Sequence, residues 1–350
     1  MELRLAFIGF GNVARAFARI LCERRSQLAE QYDLRWKVTA IATGKHGCAM
    51  SESAIDLLEA VAIVERNETL DYLPGVSIAS DSMKIIQACD ADLLFETTPL
   101  DAVSGEPAAN HIRSALGRGI NVVTANKGPI AFAYRELSAL ARRRGVRFRF
   151  EGTVMDGAPV FNLAEHCLPA ARVLGFHGVL NSTTNIILTG MESGRSFDES
   201  LAEAVRLGVA EANSDYDIDG WDAAVKAVAL ANVLMNADAR PSDVERDGIR
   251  EITGEDLKSA AREGKAVRLV SRAELSGGGL RLSVAPELVH LASPLGCARG
   301  SSNALVIETD LMGEIALFET DPGVGQTAYA LLSDMIRIHE DIQPARRHAS

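Results

Sequence analysis

The chain has 350 residues, 47% hydrophobic and 24% charged, which is ordinary globular composition and too apolar for a mainly disordered state. Its length suggests about two domains. Its 36 Lys and Arg stand against 47 Asp and Glu, a net charge of −11, with only 5% aromatic residues, so it has neither the cations nor the rings of a nucleic-acid binder.

The first predicted element is a strand, Leu3–Ile8, followed by Gly9-Phe10-Gly11-Asn12-Val13-Ala14 and a helical pattern from Val13 to Cys22. Strand, glycine turn and helix in this order suit a dinucleotide: the glycines let backbone N–H groups approach a pyrophosphate, and Ala14 takes the close-packing third position. Gly9, Phe10, Gly11, Asn12 and Val13 are therefore candidate cofactor-binding residues, against the alternative of a merely structural tight turn. Lys37–Ala42 reads as a second strand. An acid at its end would bind the ribose 2′-hydroxyl of NAD. Thr43-Gly44-Lys45-His46 offers none, so Thr43 and Lys45 tilt the reading toward NADP, unless Lys45 is simply a loop lysine.

Strands Asp92–Glu96, Asn121–Thr124 and Arg147–Phe150 alternate with helical patterns such as Gly105–Gly117 and Ala131–Arg143, which argues for a parallel, doubly wound sheet. Glu96-Thr97-Thr98-Pro99 closes one strand where the ligand crevice of such a sheet lies, making Thr97 and Thr98 cofactor candidates. Thr124-Ala125-Asn126-Lys127-Gly128-Pro129 places Lys127 at the end of another, as a functional cation or as a solvated loop lysine.

Past Glu151-Gly152-Thr153 the pattern changes. A strand, Arg172–Leu180, leads into Asn181-Ser182-Thr183-Thr184-Asn185 and two helices. Strand-like runs near Val267–Glu274, Leu280–Pro286, Ala304–Asp310 and Glu314–Glu319 suggest a mixed sheet with hairpins, in an α+β second domain. Residues 1–151 are then the dinucleotide-binding domain, completed by 322–350, and 152–321 the substrate-binding and oligomerisation domain. The final helix, Thr327–Ile338, follows a second glycine-rich turn with Gly323 and Gly325.

The most informative stretch runs from Gly208 to Lys226. Asp219 or Gly220 would cap a helix from Trp221 to about Asn236, on which Asp222 and Lys226 share one face. Most such pairs are surface salt bridges. This helix is apolar nearly all round, however, so it reads as buried, and a buried lysine needs a partner or a purpose. Burial also lowers a lysine pKa toward the working range of a general acid. Glu211, Asp215 and Asp217 precede it as a run of acids that a solvated loop would equally explain.

Five scattered cysteines with no Cys-x-x-Cys pair indicate neither a zinc site nor a disulfide framework. The longest apolar stretch, Ala223 to Met235, is too short for a membrane span, and no signal-peptide pattern opens the chain. A soluble, cytoplasmic protein with no membrane partner is expected.

Assembled, these segments resemble the homoserine dehydrogenase family over nearly the whole chain. The resemblance rests on the N-terminal Gly-x-Gly-x-x-Ala, Ala125-Asn126-Lys127, Glu151-Gly152-Thr153-Val154 with Gly157-x-Pro159, Asn181-Ser182-Thr183-Thr184-Asn185, Gly208-x-x-Glu211, Asp217-Ile218-x-Gly220-x-Asp222-Ala223-Ala224-x-Lys226, and Pro322-Gly323-Val324-Gly325. It implies an NAD(P)-dependent oxidoreductase interconverting aspartate β-semialdehyde and L-homoserine, in the threonine and methionine branch of amino-acid biosynthesis, and a homodimer or homotetramer. Lys226 and Lys127 would be the catalytic lysines, with Asp222 orienting both substrate and Lys226. Glu211, Asp222, Lys127, Asp217 and Thr183 would bind substrate. Thr98, Lys127 and the Pro322–Gly325 turn would line the cofactor site. The resemblance also implies a monovalent-cation site, as for sodium, at Glu151, Val154, Asp156 and Ala158.

Four positions depart from the family pattern: Ser182 and Val209 replace a glycine and a tyrosine, and Met155 and Asp156 partly replace the glycines that follow the glutamate. The expected form is the short one, without the C-terminal regulatory module. Two other readings stay open. One is a divergent dehydrogenase for another small amino or hydroxy acid, motivated by Ser182 and Val209. The other is a non-catalytic dinucleotide-binding sensor, against which the intact Lys127, Asp222 and Lys226 weigh.

Overall fold

The computed structural model describes residues 2–210, 214–277 and 279–342. The chain divides into two compact units: residues up to Gly157 together with those from Gly323 onward, and Ala158–Pro322. Among the described residues no helix is long and apolar enough to cross a membrane.

The first unit opens with β1 (Glu2–Ile8), α1 (Asn12–Glu23), α2 (Arg25–Tyr32), β2 (Arg35–Ala42), β3 (Cys48–Ile55), α3 (Leu57–Glu65), β4 (Ser77–Ala79) and α4 (Ser82–Ala88). It continues through β5 (Leu93–Glu96), α5 (Ala108–Gly117), β6 (Asn121–Thr124), α6 (Lys127–Arg144) and β7 (Phe148–Arg149). The sheet order is β4-β3-β2-β1-β5-β6-β7. From β2 to β7 every pairing is parallel, but β3 pairs antiparallel with β2 and β4 antiparallel with β3. The expected wholly parallel sheet thus gains a two-strand antiparallel edge. The turn Thr43–Gly47 makes that edge possible by folding β3 straight back on β2: Thr43 N–H donates to Gly47 C=O, and Thr43 Oγ1 accepts from His46 N–H.

The sheet is buried on both faces, as helix-covered parallel strands are. Alternate residues of β1 divide between them: Leu3, Leu5 and Phe7 pack with Phe17, Phe95 and Val123, while Ala6 and Ile8 pack with Leu94, Ile112 and Leu116 on the other side. Phe7, Phe17 and Phe95 form an aromatic cluster, Phe7 stacked on Phe95 and Phe17 tilted against both, with Phe17 and Phe95 centroids 4.6 Å apart.

The second unit contains α7 (Val160–Asn162), β8 (Val173–Val179), α8 (Ser182–Glu192), α9 (Phe197–Arg206), α10 (Asp215–Ile218), α11 (Trp221–Leu234), β9 (Glu245–Arg246) and α12 (Gly254–Arg262). Then come β10 (Lys265–Ser276), β11 (Gly279–His290), α13 (Pro294–Cys297), β12 (Asn303–Thr309) and β13 (Gly313–Glu319). The order is β13-β12-β8-β10-β11-β9, so β8 lies at the centre with an antiparallel hairpin on either side. β9 pairs parallel with β11, which makes the sheet mixed.

The chain then returns to the first unit as α14 (Val324–Ile342). Ala328, Leu331, Leu332, Met335 and Ile338 of this helix belong to the same core cluster as Leu5, Phe7 and Phe17.

Candidate active site

The two units carry separate parts of the chemistry. In the first, Gly9 lies at the carboxyl end of β1, where strand order reverses between β2 and β5, the position at which open α/β sheets bind ligands. Its φ is +86°, and a Cβ there would sit 2.6 Å from the Thr97 carbonyl carbon, so only glycine fits. Thr97 locks this approach, its Oγ1 donating to Gly9 C=O at 2.9 Å.

Gly11 caps α1 with no side-chain hydrogen bond, and a Cβ on it would meet nothing within 4 Å. The first helical bond runs from Arg15 N–H to Gly11 C=O, so the preceding N–H groups lack intrahelical acceptors and no acid stands in the first turn. Open space before uncapped N–H groups at the positive end of a helix fits the pyrophosphate of a dinucleotide.

The other expected cofactor residues are placed as follows. Phe10 is buried and packs edge-on against Phe7, so only its backbone faces the turn. Asn12 accepts from Arg15 Nη2 at 2.8 Å, and Val13 is half-buried. Thr43 Oγ1 is held within its own turn by Gly47 C=O, and Lys45 is exposed on that turn. Gly323 and Gly325 stand at the start of α14, where Thr327 N–H bonds to Gly323 C=O.

Thr98 follows β5, and both its N–H and its Oγ1 donate to Glu96 Oε1. Lys127, expected in a strand-end loop, is instead the first residue of α6. Asn126 caps that helix through Gly128 N–H at 3.0 Å, while its Nδ2 holds the carbonyls of Thr98 and Pro99. Lys127 thus stands in the first turn of α6, at the positive end of the helix dipole.

Glu151 is buried in a short turn, Glu151–Thr153, packed against α14, and its N–H donates to Asp334 at 2.8 Å. Val154 is buried beside it, and an Asp156 oxygen accepts from Thr327 Oγ1 at 2.6 Å. Ala158 opens the second unit. Among the described residues no group of three or more His, Cys, Asp or Glu is placed to hold a metal.

In the second unit one asparagine organises the acids. Asn181 caps α8, accepting from Thr184 N–H at 2.8 Å, and its Nδ2 donates to Asp217 Oδ1 at 2.8 Å and Asp222 Oδ2 at 3.0 Å. Asp222 lies in the first turn of α11 and meets Lys226 one turn on, Nζ to Oδ2 3.2 Å. Lys226 Nζ also donates to Leu180 C=O at 2.6 Å. Neither partner is on the surface: Asp222 is buried and Lys226 half-buried. Burial, then the neighbouring Asp222 charge, raises the Asp217 pKa, against hydrogen bonds from Asn181 and Thr183 and the Lys226 charge. Thr183 thereby joins the cluster as a donor to Asp217. Gly220 is the helix cap, and Asp219, the other expected candidate, pairs with Arg250. Glu211 lies outside the described residues.

The spacing of acids and lysine identified this cluster, but the bridge was missed. Asn181 was visible only as the first residue of an Asn-Ser-Thr-Thr stretch, and its N-cap preference was the available signal. The departure at Ser182 has a local reason: its hydroxyl donates to Ser301 C=O at 2.8 Å, a backbone tie that glycine could not make.

Residues 9–151 match the family model described as the NAD-binding domain of homoserine dehydrogenase, and 159–336 match that described as homoserine dehydrogenase. An NAD(+)-dependent homoserine dehydrogenase of Pseudomonas canavaninivorans is 36% identical over 348 residues, 99% of each chain. The structure is similar to that of a putative homoserine dehydrogenase from Archaeoglobus fulgidus, with TM-score 0.85 and 34% identity over 96% of this chain and 99% of that one. It is similar also to a hyperthermophilic archaeal homoserine dehydrogenase in complex with NADPH, with TM-score 0.82 and 30% identity, covering 97% and 98%. With its dinucleotide turn and acid–lysine cluster in place, the chain belongs to the homoserine dehydrogenase family of NAD(P)-binding oxidoreductases.

Proposed function

We propose that the chain interconverts aspartate β-semialdehyde and L-homoserine, with Lys226 as the proton donor to the forming alcohol. The Asn181–Asp217–Asp222–Lys226 cluster carries this reading. A nicotinamide cofactor, when bound, supplies the hydride to the aldehyde carbon. Negative charge then develops on the aldehyde oxygen, and an ammonium beside it both stabilises the charge and delivers a proton from Nζ. Asp222 and Leu180 C=O fix Nζ from two directions, so the donor is oriented before the charge appears. Two carboxylates gathered by one asparagine suit the α-ammonium of the substrate, with Glu211 as a third acid and Thr183 setting the Asp217 rotamer. Lys127, at the positive end of α6, suits the substrate carboxylate or a cofactor oxygen.

On the cofactor side, Gly9, Gly11 and the start of α1 would hold the pyrophosphate, and Thr98 would line the nicotinamide end. The Thr98 hydroxyl donates to Glu96, which leaves its oxygen lone pairs as the acceptor for a carboxamide N–H. The turn after β2 presents Lys45 and no acid, which supports use of a 2′-phosphate, that is, NADP ahead of NAD. A homodimer or homotetramer is the proposed assembly. Exposed Leu275, Leu288 and Phe318 on the second sheet support it, and light scattering tests it. A cytoplasmic location and a place in threonine and methionine biosynthesis follow from the proposed reaction.

The test is direct. Purified protein with NADPH or NADH and aspartate β-semialdehyde should lose absorbance at the nicotinamide band, and homoserine with oxidised cofactor should restore it. Bound cofactor with no turnover in either direction would overturn the reading.

A further inference from the structure

The first unit buries a second polar cluster that the reaction itself does not use. Glu96 ends β5 with its side chain fully buried, and His111 of α5 is buried beside it. An unpaired buried carboxylate is costly, so its partners are informative. Oε1 accepts from Thr98 N–H and Thr98 Oγ1, whereas the single Thr124 hydroxyl proton points to the Glu96 backbone C=O at 2.9 Å, with Oε2 farther off at 3.2 Å. His111 Nδ1 stands 3.5 Å from Oε1, at ion-pair range but too long for a good hydrogen bond, while Nε2 is held by Ser82 Oγ at 2.8 Å. Thr124 Oγ1 in turn accepts from Asn126 N–H at 3.0 Å, and Asn126 grips the Thr98 and Pro99 carbonyls while capping α6 at Lys127.

The chain Ser82–His111–Glu96–Thr98, continued from the Thr98 carbonyl to Asn126, thus links four elements: α4, α5, and the carboxyl ends of β5 and β6. It ends on Thr98, assigned to the nicotinamide side, and on Asn126, the cap of the helix that Lys127 begins. Backbone packing repeats the same link, since a Cβ on Gly128 would fall 3.0 Å from Gly105 Cα and from Leu100 Cδ1.

We propose that Glu96, with His111 packed beside it, is a positioning residue that fixes Thr98 directly and, through the Thr98 carbonyl held by Asn126, the start of α6 at Lys127, and so sets the nicotinamide end of the cofactor site without touching the cofactor. This rests on the assignment of Thr98 to that end. Replacing Glu96 by alanine removes the acceptor of both Thr98 donors and frees the Thr98 side chain, while Thr124 keeps the backbone carbonyl of residue 96. Gln keeps the shape and one carbonyl acceptor, so it should retain much of the order.

The experiment compares two ligands on the full chain by titration: NADPH, and 2′-phospho-ADP-ribose, which has every part except the nicotinamide. Glu96→Ala should weaken NADPH roughly tenfold or more, the scale of a lost charge-assisted hydrogen bond, and leave 2′-phospho-ADP-ribose within about twofold. Glu96→Gln should recover most of the difference, and His111→Asn should fall between the two. Equal weakening of both ligands, or no weakening of either, would overturn the proposal. If Glu96→Ala does not fold, the Gln and His111→Asn variants carry the same comparison. The binding difference does not depend on which substrate is turned over, so loss of the homoserine reading alone would leave it intact.

Discussion

Replacing Gly248 with alanine should disable the substrate side of this enzyme while sparing the cofactor side. Gly248 lies in the loop after β9, and its φ is not in the left-handed region, so only space is at issue. A Cβ there would sit 2.4 Å from Ile218 C=O and 2.8 Å from Asp219 Cα. Ordinary contact begins near 3.4 Å, so the end of α10 must retreat by about 1 Å. Retreat also breaks the bond from Ile249 N–H to Ile218 C=O, now 3.0 Å.

Overpacking of this kind costs about 1–3 kcal/mol and the hydrogen bond about 1 kcal/mol more. For a unit of this size that amounts to roughly 4–16 °C in Tm. The kinetic effect should be larger, because Asp217 sits on α10 one residue before Ile218, and Asp222 lies in the first turn of the helix that Gly220 caps. A misplacement of about 1 Å is worth about 100-fold in rate. The assay is steady-state kcat/KM for homoserine beside a direct titration of NADPH. A folded variant with kcat/KM within about threefold of the parent would refute the reasoning, as would an equal loss of NADPH affinity. Gly117→Ala is the control: it lies in α5 with nothing within 4 Å of the new Cβ, so stability should rise by about 0.4–1 kcal/mol and kinetics should not change.

Lys226→Ala should lower kcat by about 100- to 10,000-fold and leave the NADPH dissociation constant unchanged, read by single-turnover absorbance and titration. Because burial raises the Asp217 pKa, the native state binds that proton more tightly than the unfolded chain. Its share of stability is therefore greatest below the unfolded carboxylate pKa and falls as pH rises through the folded value. Asp217→Asn should accordingly raise Tm at pH 7 relative to the parent and lose that advantage at pH 3, while KM for homoserine rises. Lys45→Glu should shift the kcat/KM ratio for NADPH over NADH toward NADH by about tenfold, and an unchanged ratio would remove Lys45 from cofactor selection.

The two centres differed in how plainly the sequence displayed them. Gly9 and Gly11 were legible because backbone approach allows no other residue, and Asp222 with Lys226 because an apolar helix must explain a charge. The edge strands β3 and β4 were not: Cys48–Ile55 mixes buried and exposed positions without alternation, and its pairing is set by the turn that precedes it. Glu96 and His111 gave no local signal, since a carboxylate at a strand end and a histidine in an amphipathic helix are each unremarkable until the fold joins them. Gly248 was equally silent, because its neighbours at Ile218 and Asp219 lie some thirty residues away in the chain.

The return of α14 to the first unit also has a temporal meaning. The core behind the glycine turn is closed by Ala328, Leu331 and Met335, which are synthesised only after all of Ala158–Pro322. At ordinary rates the nascent chain therefore waits roughly ten seconds or more with that apolar surface uncovered. The second unit, made later but from one continuous segment, has no such wait. The cofactor half of the enzyme begins first on the ribosome and is the last to be finished.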